Sequence, residues 1–208
     1  MNCGSCGCRA ARRNFVPKPV SHTVEVCPDC KKKIRLINAM RLVWLQGIYW
    51  TRMVMISIAE GLPDQEDAEN RLLRNPTDLT TVFASFYSPE LLILIPQLLT
   101  EHQQIDAALV TALRDGNIAE ANELNGQWYD NADRLSDAFA DLNPYYNREE
   151  IRRMLYAHLD LTKQQTAMRL AGNFPGDIIA FEQIEQKILT LADLLSDGII
   201  RQFPDQFA

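Results

Sequence analysis

The feature that most constrains this fold is the wide spacing of helix-breaking residues after residue 33. Glycine and asparagine end helices because they tolerate left-handed backbone, and proline cannot continue a helix. The segments between the breaks are rich in Leu, Ala, Ile, Met, Glu, Gln and Arg, and they show no long strand-like alternation. The sequence therefore predicts an all-α domain over residues 34–208. The breaks fall at Gly61-Leu62-Pro63, Gly116-Asn117, Asn143-Pro144 and Gly172-Asn173.

Helix boundaries follow from these breaks and from residues that favour helix starts. The first helix is long, and one or two short helices are expected between residues 64 and 87. A kink is expected at Pro96 in the second long helix. The five long helices are predicted at about 32–60, 88–115, 118–142, 147–171 and 177–202.

Two segments in the second half of the chain have similar sequences. Leu98-Leu99-x-x-His102 before Gly116-Asn117 matches Met154-Leu155-x-x-His158 before Gly172-Asn173 at an offset of 56. Ala132–Asp137 matches Ala192–Asp197 at an offset of 60. Chance similarity between two amphipathic hairpins is the alternative. A true repeat would make hairpins 88–142 and 147–202 a ferritin-like, up-down four-helix bundle with the N-terminal helix added.

All five cysteines lie in the first 30 residues. Cys3-x-x-Cys6 and Cys27-x-x-Cys30 have the spacing of a four-thiolate zinc site, and Gly4, Gly7 and Pro28-Asp29 suit the tight turns. We therefore predict a small zinc-ribbon-like head over residues 1–33. Cys8 is an alternative ligand or a redox-sensitive thiol. A disulfide framework is the competing interpretation, which the odd number of cysteines disfavours.

A second metal site is predicted inside the bundle. Apolar stripes at helical spacing place His102 and His158 on core-facing sides, and the stripe of the last helix includes Glu185. Histidine and carboxylate ligands from facing helices bind iron, manganese or zinc in bundles. The alternatives are buried, hydrogen-bonded histidines or a pocket for another small ligand. The weaker candidate ligands are Glu101, Glu182, Asp133 and Asp193.

Charge is divided unevenly along the chain. Residues 1–35 contain eight Lys and Arg against Glu25 and Asp29, a net +6, and the remainder carries −12. A basic head binds an unknown acidic protein partner or nucleic acid, unless its lysines serve only solubility. No Gly-rich phosphate loop or nucleophile elbow is present, so no catalytic residue is assigned and enzymatic activity is left open.

The expected location is the cytoplasm. The N-terminus has no apolar core for secretion, and zinc-binding thiols suit a reducing compartment. Arg35, Arg41 and Arg52 interrupt the apolar stretch 34–60, so no membrane association is expected. A homo-oligomer is left open.

Residues 42–204 resemble an uncharacterised helical family of clostridia and bacilli. Members often carry the label acetylglutamate kinase, which this sequence does not support, because such kinases are larger α/β proteins with Gly-rich loops. The resemblance implies ligands near positions 46–47 and 186, where this chain has Gln46, Gly47 and Gln186. The metal site in the bundle would then lack some of the ligands that relatives have. The cysteine head lies outside the resemblance. The matching motifs include Tyr49-Trp50-Thr51-Arg52, Leu62-Pro63-Asp64, Arg71-Leu72-Leu73-Arg74-Asn75-Pro76, Leu99-Thr100-Glu101-His102, Trp128-Tyr129, Asn143-Pro144-Tyr145, His158-Leu159 and Gln202-Phe203-Pro204.

Overall fold

The structure, a computed structural model, describes the backbone of residues 28–208 and the side chains of residues 30–208. Within this range the regular structure is helical, with no strand, which confirms the all-α prediction. Two short 3-10 helices cover Pro89–Leu92 and Pro204–Phe207. The α-helices are α1 Pro28–Glu60, α2 Gln65–Leu72, α3 Asn75–Phe83, α4 Leu94–Arg114, α5 Ile118–Leu142, α6 Arg148–Leu170 and α7 Phe174–Gln202.

Most of the predicted zinc head lies outside the described residues. Cys3, Cys6, Cys8 and Cys27 all fall there, so its geometry is not part of the structure described. Residues 28–33 belong to α1, so this helix begins four residues before its predicted start at about residue 32. Cys30 lies in the first turn of α1, and its side chain is exposed.

Asparagine side chains cap the N-termini of three of the long helices. The side-chain oxygens of Asn117, Asn147 and Asn173 accept from backbone N–H groups at the starts of α5, α6 and α7. Each bond satisfies one of the four donors that a helix start leaves without an intrahelical acceptor. Gly116 and Gly172, which follow α4 and α6, both have φ of +71°, a left-handed conformation that favours glycine. These contacts are local, which explains why the sequence predicts the starts of α5 and α6 closely; α7 begins at Phe174, three residues before the predicted start.

The predicted kink at Pro96 is wrong. A 3-10 helix over Pro89–Leu92 comes first, and α4 begins at Leu94, so Pro96 lies in its first turn. The backbone N–H groups of a first turn have no intrahelical acceptor, so a proline there removes no helix hydrogen bond.

Five long helices pack side by side in the cyclic order α1, α4, α5, α6, α7. The hairpin partners α4 and α5, and likewise α6 and α7, make the most extensive contacts. Helix α1 packs against both α4 and α7, and α2 and α3 lie against α1. Helix α1 therefore forms one side of the core. The largest fully buried side chains include Met40, Ile58, Phe83, Leu98, Trp128, Leu135, Phe139, Ile151, Leu159 and Leu191.

Among residues 28–208, one helix, over Cys30–Glu60, is long and apolar enough to cross a membrane, and its most apolar window has a mean hydropathy of 1.2. This is weak evidence for a span, because core helices of soluble proteins meet the same criterion. In this fold the helix buries Met40 and Ile58 against its neighbours.

A buried ionic network joins α1, α6 and α7 at one end of the fold. The Asp177 carboxylate, whose side chain is 1% exposed, accepts from both terminal nitrogens of Arg52 and pairs with Arg169 at 3.5 Å. Gln165 Nε2 donates to the same carboxylate at 3.0 Å. Burial alone would raise the pKa of Asp177, but these donors outweigh burial and hold it below its ordinary value. Asp177 is therefore an ionised group that ties three helices together.

Candidate functional site

A small cavity of about 50 Å³ lies in the interior, bordered by all five long helices and by α3. Its walls are apolar apart from a few uncharged polar groups. No Asp, Glu, Lys or Arg lines it. The lining residues are Val43, Trp44, Gly47, Ile48, Thr51, Asn75, Leu79, Leu99, His102, Gln103, Leu135, Leu155, His158 and Ile188.

The cavity brings together the two histidines that the sequence predicts on core faces. The ring centroids of His102 on α4 and His158 on α6 are 6.2 Å apart, and the ring planes are inclined by 22°. The His102 ring also lies 5.2 Å from the Trp128 ring. The prediction that these two side chains turn inward is therefore confirmed.

Asn131 sets the tautomer of His102. Its side-chain nitrogen donates to the Leu98 backbone carbonyl at 3.0 Å, so its Oδ1 is the atom 2.9 Å from His102 Nδ1. An amide oxygen only accepts hydrogen bonds, so Nδ1 carries the hydrogen. The lone pair of the neutral ring is then on Nε2. A fixed tautomer of this kind orients an imidazole that binds a ligand.

Both rings are neutral at neutral pH. Burial lowers the pKa of His102 to about 4, although the hydrogen bond to Asn131 and the charge of Glu101 oppose the change. Burial also lowers the pKa of His158 to about 3, and the neighbouring His102 adds to the effect. The cavity thus contains two uncharged imidazoles.

Three lining residues carry a buried polar atom without a hydrogen-bond partner among residues 30–208. They are Trp44 through Nε1, Gln103 through Oε1 and His158 through Nδ1. The position that matches Asn131 at the offset of 60 is Leu191, whose side chain cannot form a hydrogen bond with His158. Residues that border the cavity therefore carry a donor, an acceptor and an imidazole nitrogen that make no hydrogen bond with residues 30–208.

Glu185 does not join the histidines, and its predicted core position is wrong. The buried face of α7 includes Ile184 and Ile188, so Glu185 is rotated by about 100° from Ile184 to the edge of the helix. The residue is partly exposed and accepts a hydrogen bond from the Tyr49 hydroxyl at 2.8 Å.

The four weaker candidate ligands also lie outside the cavity. Glu101 pairs with Arg134 at 2.9 Å, and Asp193 pairs with Arg41 at 2.6 Å. Asp133 accepts from Arg152 at 2.7 Å and from the Tyr156 hydroxyl at 2.9 Å. Glu182 is exposed in a surface groove between α6 and α7. In the part of the chain described, no three His, Cys, Asp or Glu side chains form a group that could hold a metal.

Sequence reasoning missed several polar residues of the interior. Asn131 lies on the buried face of α5 beside Ala132, and a polar residue at such a position is a usable signal. Asp106 lies one turn after His102, and burial raises its pKa to about 7. Trp44 and Gln103 carry no such signal, because their importance depends on neighbours from other helices.

Comparison with protein-family models, with curated proteins and with solved structures finds no match to this chain. Its function is therefore inferred from its residues and their geometry.

Proposed function

We propose that this protein is a non-enzymatic interaction protein with a structural zinc centre formed by Cys3, Cys6, Cys27 and Cys30. The position of Cys30 carries the proposal. It is the third residue of α1, and its side chain is exposed. A helix N-terminus stabilises thiolates, and two Cys-x-x-Cys pairs supply the four sulfurs of a structural zinc site.

The proposed partner is a protein with an acidic surface. Lys31, Lys32, Lys33 and Arg35 follow Cys30 directly, and all four are exposed. Lys32 Nζ also donates to the backbone carbonyl of Ala208 at 2.9 Å, so the C-terminal segment lies beside the same basic surface. Nucleic acid is the competing partner, and it predicts binding that weakens steeply as salt concentration rises. The reduced thiolates of the proposed site suit the cytoplasm.

For the helical body we propose two related hairpins, arranged in the manner of a ferritin-like four-helix bundle with α1 packed alongside. Matched positions support this origin. Gly116 and Gly172 share the same φ, and Ser136 and Ser196 donate to the carbonyls of Ala132 and Ala192 at 2.8 and 2.7 Å. A ferritin-like metal-dependent oxidoreductase or metal sensor has less support, because its proposed carboxylate ligands lie outside the cavity.

The zinc proposal is tested by elemental analysis of full-length protein and three single variants. We expect about one zinc per chain in the wild type, because four thiolates complete one tetrahedral site. Cys27→Ser and Cys30→Ser should lose most of this zinc, and Cys8→Ser is the control that should keep it. Zinc-free wild-type protein with five readily titrated thiols would refute the proposal.

A further inference from the structure

We propose that the cavity between His102 and His158 binds a small uncharged molecule that both donates and accepts hydrogen bonds. The site is separate from the proposed zinc centre. It has a defined location in the fold, because helices α1, α4 and α6 each contribute polar residues to its lining.

The hydrogen-bonding groups of the cavity are complementary to such a ligand. Gln103 Oε1 can only accept a hydrogen bond, and Trp44 Nε1 can only donate one. His102 is held with its lone pair on Nε2, because Asn131 accepts from Nδ1. Buried polar groups in folded proteins are almost always bonded. A molecule with an N–H and a carbonyl group would supply the bonds that Trp44 and Gln103 do not make with residues 30–208.

The absence of charge in the cavity walls favours an uncharged ligand. An ion taken into a low-dielectric site without a counter-charge is strongly disfavoured. The lining offers neither a carboxylate for a cation nor a Lys or Arg for an anion. Two imidazoles alone supply half of the ligands that a tetrahedral metal needs. These observations separate this proposal from a metal site at the same histidines.

The volume limits the ligand to a few atoms. A cavity of about 50 Å³ is well below the size that holds benzene, and it fits roughly two to four non-hydrogen atoms. The cavity is not sealed, because Gly47, Thr51 and Gln103 in its lining are each partly exposed. Formamide, with three non-hydrogen atoms, one donor group and one acceptor, is therefore a suitable probe.

The experiment is a titration of full-length, ¹⁵N-labelled protein with formamide, followed through the side-chain nitrogen resonances of the histidines. We expect saturable shifts for His102 and His158, and a His102 spectrum typical of the tautomer protonated at Nδ1. Gln103→Leu and Trp44→Phe should weaken binding about tenfold each, since each removes one hydrogen bond to the ligand. The polar atoms removed, Gln103 Oε1 and Trp44 Nε1, have no hydrogen-bond partner among residues 30–208, and the new side chains are apolar, so we expect the fold to be retained; thermal unfolding of each variant checks this.

Gln104→Leu is the matched control, because Gln104 is the next residue on α4, is exposed and does not line the cavity. It should leave the titration unchanged. Shifts that rise linearly with formamide and are equal in all variants would overturn the proposal, since the cavity would then hold water only. Displacement of formamide by stoichiometric cobalt(II) at the same ring nitrogens would also overturn it. Protein saturated with zinc beforehand is used for the cobalt(II) addition, so that the proposed cysteine site does not take up the cobalt(II) and the two proposals fail separately.

Discussion

Replacement of Asp177 by alanine tests how much the buried ionic network stabilises the fold. The carboxylate pairs with two arginines from α1 and α6, whose side chains are 17% and 16% exposed. Removal of one partner from a buried ion pair costs about 3–5 kcal/mol, because an uncompensated charge is left behind. Arg52 and Arg169 retain some contact with water, and Arg169 keeps its pair with Glu60 at 3.0 Å. We therefore take the lower end, about 3 kcal/mol.

The measurement is urea unfolding of wild type and Asp177→Ala, with Asp193→Ala as the matched control. Asp193 also lies on α7 and also holds an arginine, Arg41, through both carboxylate oxygens. That pair is 45% and 43% exposed, and exposed pairs contribute at most about 1 kcal/mol. In thermal unfolding, a loss of about 3 kcal/mol corresponds to a Tm lower by about 6–12 °C. Equal destabilisation by the two substitutions would refute the reasoning.

The same network predicts a dependence on pH. The folded-state pKa of Asp177 lies below its ordinary value of 3.8, so its stabilising contribution is fully present above that value. The contribution is lost as pH falls through the lowered pKa, when the carboxylate becomes protonated. The difference in unfolding free energy between wild type and Asp177→Asn should therefore be constant near neutrality and shrink below about pH 4. A difference that stays constant down to pH 2 would contradict this assignment.

Two further predictions concern the core and the histidines. Gly198→Ala should destabilise the protein by about 1–3 kcal/mol, because its Cβ would lie 2.1 Å from Tyr146 Cε1; Gly126→Ala, with nothing within 4 Å, should be neutral or slightly stabilising in thermal unfolding. The unfolding free energy should also fall as pH is lowered from 6.5 towards 4, because unfolded histidines bind protons in this range while His102 and His158, with pKa values of about 4 and 3, do not. Each ring contributes up to about 1.4 kcal/mol per pH unit, so His158→Gln should reduce the slope measured by urea unfolding, and an unchanged slope would contradict the assignment.

The helical body could be predicted well from the sequence because helix ends are formed by local groups. The caps at Asn117, Asn147 and Asn173 accept from N–H groups three residues later, and such pairs are visible in the sequence. The start of α4 was predicted wrongly, because the local sequence pattern there is ambiguous. Apolar residues continue through the 3-10 helix at Pro89–Leu92, so the pattern alone does not separate a kinked helix from a new one.

The candidate site could be predicted only in part. Periodicity places His102 and His158 correctly, because each is surrounded on its own helix by strongly apolar positions. It fails for Glu185, since two neighbouring stripes on α7 are both apolar and differ by one residue. The ion-pair partners of the acidic residues also cannot be predicted from the pattern within one helix. Arg41, for example, pairs with a carboxylate 152 residues away.

The order of residues by itself determined where most helices end, which faces carry the two imidazoles, and how charge is split between the N-terminal segment and the body. Those properties depend on atoms within one or two helical turns of each other. Only the tertiary structure decided which polar groups are satisfied. Asn131 reaches His102 from another helix, the matching Leu191 offers His158 no hydrogen bond, and the carboxylates turn towards arginines instead of towards the cavity. Hydrogen-bond and ionic partners are set by distances between helices, which no spacing within a single helix specifies.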